Sequence, residues 1–190
     1  MTMEGAMHYC LFDTDLGACG VAWNERGLTR FQLPEADKRA TERRLTLRAP
    51  SSRAKAPPAQ VAEAIAEVQR YMLGERVDFS AIALDLAGVS PFYVEIYAAA
   101  RRVGWGETAT YGELARQAGA PGAARAVGQA MARNPVAVII PCHRILASGS
   151  KVGGFSAFGG TVSKQRLLGL EGVRIGAAKA AGQLSLSEQW

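Results

Sequence analysis

Between Ser90 and Asn134 the chain is punctuated so tightly that it reads as a succession of short helices. Ser90 is a good N-cap and Pro91 suits the first helical position, where its missing N–H costs nothing. That helix buries Val94 and Tyr97 and stops at Gly104-Trp105-Gly106. Thr110 and Glu113 then form a Thr-x-x-Glu capping box, which sets Tyr111 in the first turn of the next helix. Gly119-Ala120-Pro121 breaks this helix, and Pro121 opens another over PGAARAVGQAMARN. Two short helices joined by a tight Gly/Pro turn read as a helix-turn-helix. The second is unusual in carrying Gly122, Ala123, Ala124, Ala126, Gly128 and Ala130 around one long cation, Arg125. Such a small-residue face either packs against a neighbouring helix or lets the backbone approach a nucleic-acid groove closely.

The first half reads differently. From His8 to Leu33, HYCLF and GVAW carry the aromatic and β-branched residues of short strands, with Asn24, Gly27 and Pro34 as breaks. A charged stretch, EADKRATERR, leads into RAPSSRAKAPP, whose Pro, Ser and basic content marks an exposed loop. Pro58 opens a helix with Val61, Ile65, Val68 and Met72 on one face and Gly74 past its end. FSAIALDL reads as a strand. The expected organisation is α+β: an α+β domain over 1–88, a mainly α domain over 89–175, and a mobile tail over 176–190. Within the second domain VAVII is a short buried strand or extended segment that delivers PCHR. A glycine-rich loop and a last helix, about Val162 to Gly169, follow.

Charge divides along the same line. Residues 1–99 hold 11 Lys+Arg against 13 Asp+Glu, and residues 100–190 hold 11 against 4. The basic half fits a polyanion partner, or equally a surface that is simply basic. No apolar run has the length of a membrane span and the N-terminus lacks a signal-peptide pattern, so a cytoplasmic protein is expected. Cys10, Cys19 and Cys142 are an odd set, which argues for reduced thiols rather than a disulfide framework. His8, Cys10 and Cys19 supply only three metal donors with no fourth, so no metal is expected.

Cys142 and His143 are the residues with most chemistry to offer. A thiol attacks only as thiolate, which needs a base or cation nearby. Here the pair ends an apolar segment, is framed by Pro141 and Arg144, and precedes a loop rich in Gly149, Gly153, Gly154, Gly159 and Gly160. The whole segment, IIPCHRIL, resembles the active-site motif of the O6-alkylguanine-DNA alkyltransferases. ATYGELA, AARAVGQAM, Asn134-Pro135, GGFS and KQRLLGLEG follow in that family's order, so the resemblance covers roughly residues 90–173.

The resemblance implies a fold, a reaction and a set of roles. The fold would be a ribonuclease-H-like α+β domain followed by a winged-helix-like, mainly α domain. The activity would be DNA repair by a methyltransferase of the suicide type, moving the alkyl group of O6-alkylguanine, and of O4-alkylthymine as a further substrate, to a cysteine. Cys142 would be the acceptor, His143 its base through a water, and Glu171 the carboxylate that orients His143. Asn134 would tie the helix-turn-helix to the active-site segment. Tyr111 would press on the target phosphate and give a proton to the leaving guanine. Arg125 would fill the space left by the flipped base, with Ala124, Ala126 and Gly128 against the minor groove. Pro141, Val152, Gly153, Phe155 and Ser156 would form the base pocket. Arg144 is either structural or a DNA contact. The partner would be double-stranded DNA, met by a monomer that can bind cooperatively, with no cofactor. Phe155 stands where many members have tyrosine, and Ala157-Phe158 makes the loop two residues longer.

Two other readings fit the residues less well. A lesion-sensing relative without catalysis would lack Cys142. A cysteine hydrolase would need an oxyanion hole that no sequence feature demands.

Overall fold

The alternation of HYCLF decides the first layer. In the computed structural model, which describes residues 7–47, 52–54, 56–150 and 152–175, β1 (His8–Thr14), β2 (Gly17–Asn24) and β3 (Gly27–Gln32) form an antiparallel meander. A two-residue strand, β4 (Ser52–Arg53), pairs in parallel with His8 and Tyr9, giving the order β3-β2-β1-β4. Side chains two apart share a face. Phe12, Cys19, Val21 and Trp23 therefore join Val61, Ala64 and Val68 of helix α2 (Ala59–Met72), while Tyr9 and Ala22 turn to the other face and meet Leu45.

Leu45 belongs to α1 (Lys38–Thr46), formed by the stretch read above only as charged. Asp37 caps it, accepting from the Ala40 N–H at 2.7 Å. Only Thr41 and Leu45 are buried, so almost no apolar periodicity marks this helix in the sequence. Gly20 of β2 is where α1 comes closest: a Cβ there would lie 2.8 Å from Leu45 Cδ2.

FSAIALDL is not a strand. Residues 79–86 run as loop and pair with the sheet backbone at a single bridge, Leu28 to Leu84. The guanidinium of Arg101 takes the carbonyls of Phe79, Ser80 and Ile82 at 2.8–3.0 Å, and those are acceptors a β-ladder would need.

The second half follows its capping signals. α3 (Pro91–Arg101) starts at Ser90, and α4 (Tyr111–Gln117) starts at Thr110 with both halves of the capping box formed. α5 (Ala124–Ala132) begins three residues later than Pro121 implies, because Gly122 takes a left-handed φ of +87° and spends Pro121-Gly122 in the turn. The strands β5 (Ala109–Thr110) and β6 (Ile145–Leu146) pair in parallel, and α6 (Thr161–Leu170) closes the unit. One hydrophobic core runs through both halves, from Phe12 and Trp23 to Val127, Ile140 and Leu167. The expected mixed α+β architecture is present; the tail at 176–190 lies outside the described residues. Among the described residues no helix is long and apolar enough to cross a membrane.

Candidate active site

VAVII is neither helix nor strand but a tight loop clasped by Asn134. The Asn134 carboxamide donates to the Ile140 carbonyl at 2.8 Å and accepts from the Val136 N–H at 2.9 Å. Inside the clasp Val138 holds a φ of +71°, a region that a β-branched residue enters at a cost of about 1–3 kcal/mol. Burial of Val136, Ile139 and Ile140 holds it there. The Phe31 N–H donates to the Pro135 carbonyl at 2.9 Å, so the first half of the chain grips the same loop. The loop ends in a 3-10 turn, Cys142–Arg144, whose three side chains are all buried.

Glu171, just past the end of α6, gathers the turn. One carboxylate oxygen accepts from His143 Nε2 at 2.7 Å and from the Tyr71 hydroxyl at 2.7 Å. Arg144 Nε reaches both oxygens at 3.0 and 3.1 Å, and the Gly106 N–H donates to the second at 3.1 Å. Burial alone would discourage a charge on Glu171, but its bonds and charge contacts with His143 and Arg144 outweigh that and hold its pKa at about 2. Arg144 is thus structural: it neutralises Glu171 and donates to the Val103 carbonyl at 2.6 Å.

An ionised carboxylate only accepts, so His143 must carry its proton on Nε2, an assignment made from the bonding pattern. Nδ1 is then a bare lone pair, and it makes no hydrogen bond to protein. Burial pushes the imidazole pKa down against the pull of Glu171, so His143 is a neutral base. Burial also raises the Cys142 thiol; a hydrogen bond from Asn134, the charge of Lys164 and backbone N–H groups work the other way. Lys164 is fully buried, donates to the Ile145 carbonyl at 2.5 Å and lies 5.8 Å from the centre of the Tyr111 ring. Burial lowers its own pKa to about 8, with Cys142 opposing.

Cys142 opens on a small cavity of about 120 Å3. Phe155, Ser156 and Asn134 line it, together with Arg30, Phe31 and Arg44 from the first half. Arg44 also donates to the Ser156 carbonyl at 3.3 Å. Three residues expected in the base pocket do not line this cavity. Pro141 faces a different cavity, beside Arg76 and Arg101, and Val152 and Gly153 are not on the Cys142 wall. Gly153 instead lies against Tyr111, where a Cβ would come 3.1 Å from the hydroxyl. Roomier cavities of about 640 and 660 Å3 have no thiol on their walls, and one of about 310 Å3 has the Cys10 thiol but no imidazole, so chemistry rather than size marks the site.

On α5 the inward face is Val127, Ala130 and Met131, while Arg125 is exposed and Ala124, Ala126 and Gly128 are half-buried. The small residues are therefore divided: Ala130 packs inside, and its carbonyl accepts from the Tyr97 hydroxyl at 2.9 Å. Tyr111, at the first position of α4, is half-buried near Cys142 and Lys164. Sequence reasoning missed Lys164 and Tyr71. Lys164 was within reach, since it stands seven residues before Glu171 and two helical turns return it to the same face. Tyr71 carried no signal.

The two halves match two family models. Residues 7–86 match the 6-O-methylguanine DNA methyltransferase ribonuclease-like domain, and residues 91–173 match the DNA binding domain of the same family. A methylated-DNA–protein-cysteine methyltransferase of Mycobacterium tuberculosis is 34% identical over 87% of this chain and 92% of its own length. This chain belongs to the 6-O-methylguanine DNA methyltransferase family. Within it, the Mycobacterium leprae methyltransferase is 46% identical over a shorter span, 58% of this chain and 64% of that protein. The crystal structure of the M. tuberculosis family member in complex with DNA superposes with a TM-score of 0.70, at 34% identity over 86% of this chain and 92% of that one.

Proposed function

We propose that this methyltransferase-family protein repairs DNA by moving the alkyl group of O6-alkylguanine onto Cys142, once per molecule. The observation that carries the reading is the meeting of three groups: on one buried turn, a thiol open to a cavity and a neutral imidazole with Nδ1 free, and, from α6, a buried ammonium whose charge acts on the thiol. His143 takes the thiol proton through a water, Glu171 stabilises the imidazolium formed, and Lys164 stabilises the thiolate. Sγ attacks the alkyl carbon, the bond from that carbon to O6 breaks, and guanine leaves with a proton supplied through the Tyr111 hydroxyl. The thioether has no route to hydrolysis, so the protein is consumed.

DNA binds through α4 and α5, with Arg125 entering the stack as the damaged nucleotide rotates out toward Cys142. A cavity of about 120 Å3 is well below the several hundred Å3 usual for ligand sites, so the loop at 152–160 shifts outward to admit the base. O4-alkylthymine presents the same alkyl–oxygen bond and is a second substrate. The test is intact-mass analysis after incubation with excess O6-methylguanine duplex. Wild type gains one methyl group and stops; Cys142→Ser gains none. Continued turnover would instead indicate a cysteine hydrolase, and methylation at Cys10 or Cys19 would remove Cys142 from the centre of the scheme.

A further inference from the structure

Tyr71 is the one side chain of the ribonuclease-like half that hydrogen-bonds into the buried cluster around His143, among the described residues. It sits near the end of α2, fully buried, 72 residues before His143 and 100 before Glu171. Its hydroxyl donates to Glu171 at 2.7 Å and lies 3.0 Å from His143 Nε2. Its ring is wedged among Phe79, Trp105 and His143, with centroids 5.5, 5.5 and 6.1 Å away. A tyrosine needed only to fill this space would serve as well without its oxygen. Burying a hydroxyl is costly unless it is bonded, and this one is bonded to two members of the relay at once.

We infer that Tyr71 is a positioning residue for alkyl transfer: from the ribonuclease-like half, it holds His143 with Nε2–H toward Glu171 and Nδ1 toward the reacting side. This rests on the reading of Cys142 and His143 given above. The single phenolic proton goes to Glu171, because an ionised carboxylate cannot donate. The phenolic oxygen is then an acceptor that only an Nε2–H can satisfy. The Nδ1–H tautomer would set two lone pairs, of Nε2 and the phenol, against each other. Glu171 and His143 face the hydroxyl directly, with Arg144 behind Glu171 and Cys142 farther off; the imidazole also feels the charges of Arg144 and Lys164. Burial and the Glu171 charge keep the phenol protonated far above neutral pH, so it remains a donor throughout the working range. By donating to Glu171 it also draws off part of the carboxylate's pull on the imidazole proton. Losing that donor leaves Glu171 a stronger partner for imidazolium, and His143 then stays protonated to higher pH.

Tyr71→Phe tests this while keeping the ring. Single-turnover transfer from an O6-methylguanine duplex is measured from pH 5 to 9 for wild type and variant, with intact mass confirming the site. The expected result is a threefold to tenfold slower reaction at pH 7. The acid limb of the profile should move upward by about half a pH unit or more, and raising the pH should recover part of the rate. An unchanged profile, or a uniform loss at every pH, overturns the proposal, since a merely structural hydroxyl would not move the limb. Should the variant fold poorly, wild type alone decides. Only two histidines are present, so the imidazole nitrogens are readily assigned by NMR. The proposal requires a protonated Nε2 with an unprotonated Nδ1 at neutral pH and a proton–proton contact from Nε2–H to a slowly exchanging tyrosine hydroxyl. An Nδ1–H tautomer sinks it. If wild type itself fails to transfer methyl, the functional reading fails, while the NMR result still decides the contact.

Discussion

Replacing Glu171 with Gln should cost this protein about 3 kcal/mol, and the cost should fade in acid. The wild-type carboxyl falls from an ordinary 4.5 to about 2 on folding. At 1.36 kcal/mol per pH unit, that difference corresponds to about 3 kcal/mol. A second route gives the same scale: Glu171 neutralises Arg144, which is 6% exposed, and removing one partner of a buried pair costs about 3–5 kcal/mol. Since the folded pKa is the lower one, the unfolded chain binds more protons between pH 4.5 and 2. The contribution is therefore complete above pH 4.5 and lost as pH falls through 2. Urea melts of wild type and Glu171→Gln at pH 7, 4 and 2.5 measure it, and the gap should narrow at each step down. At neutral pH the melting temperature should drop by roughly 6–12 °C for a chain of this size. A variant as stable as wild type at pH 7, or a gap that persists at pH 2.5, would falsify the reasoning.

Three further outcomes are expected. Lys164→Met should slow transfer at pH 7 by about tenfold for each unit the thiol pKa climbs, with recovery toward pH 9–10; a loss that high pH does not repair would make Lys164 purely structural. Arg125→Ala should slow repair of duplex DNA far more than reaction with free O6-benzylguanine, because only the duplex requires a stacked base to be extruded, at a cost of a few kcal/mol; equal losses would refute its role in flipping. Phe155→Tyr restores a donor on the cavity wall and should leave methyl transfer equal or faster by about threefold to tenfold, on the order of one hydrogen bond. Strong inactivation by that change would mean the loop holds the base in another way.

Much of this molecule was legible in one dimension because its signals are local. Ser90-Pro91, the Thr110/Glu113 capping box and the strand alternation of HYCLF act within a few residues, and each element formed where they placed it. Cys142, His143 and Asn134 were legible because a short motif sets them on one loop. The failures share a cause. Phe79–Leu86 has strand-like residues, but Arg101, about twenty positions on, takes its carbonyls. α1 hid because its apolar face is little more than Leu45, whose partners Tyr9 and Ala22 lie on the sheet. Arg144 was ambiguous until Glu171 was seen to neutralise it. The wall formed by Arg30, Phe31 and Arg44, and the hydroxyl of Tyr71 against Glu171, exist only because the two halves share one core. Sequence by itself determined the thiol, imidazole and carboxylate proposed for the chemistry and most of the short elements that carry them. Tertiary packing decided their charge states and orientations, because burial and long-range partners set a pKa and a tautomer, and neither is encoded within a few residues of the group it governs.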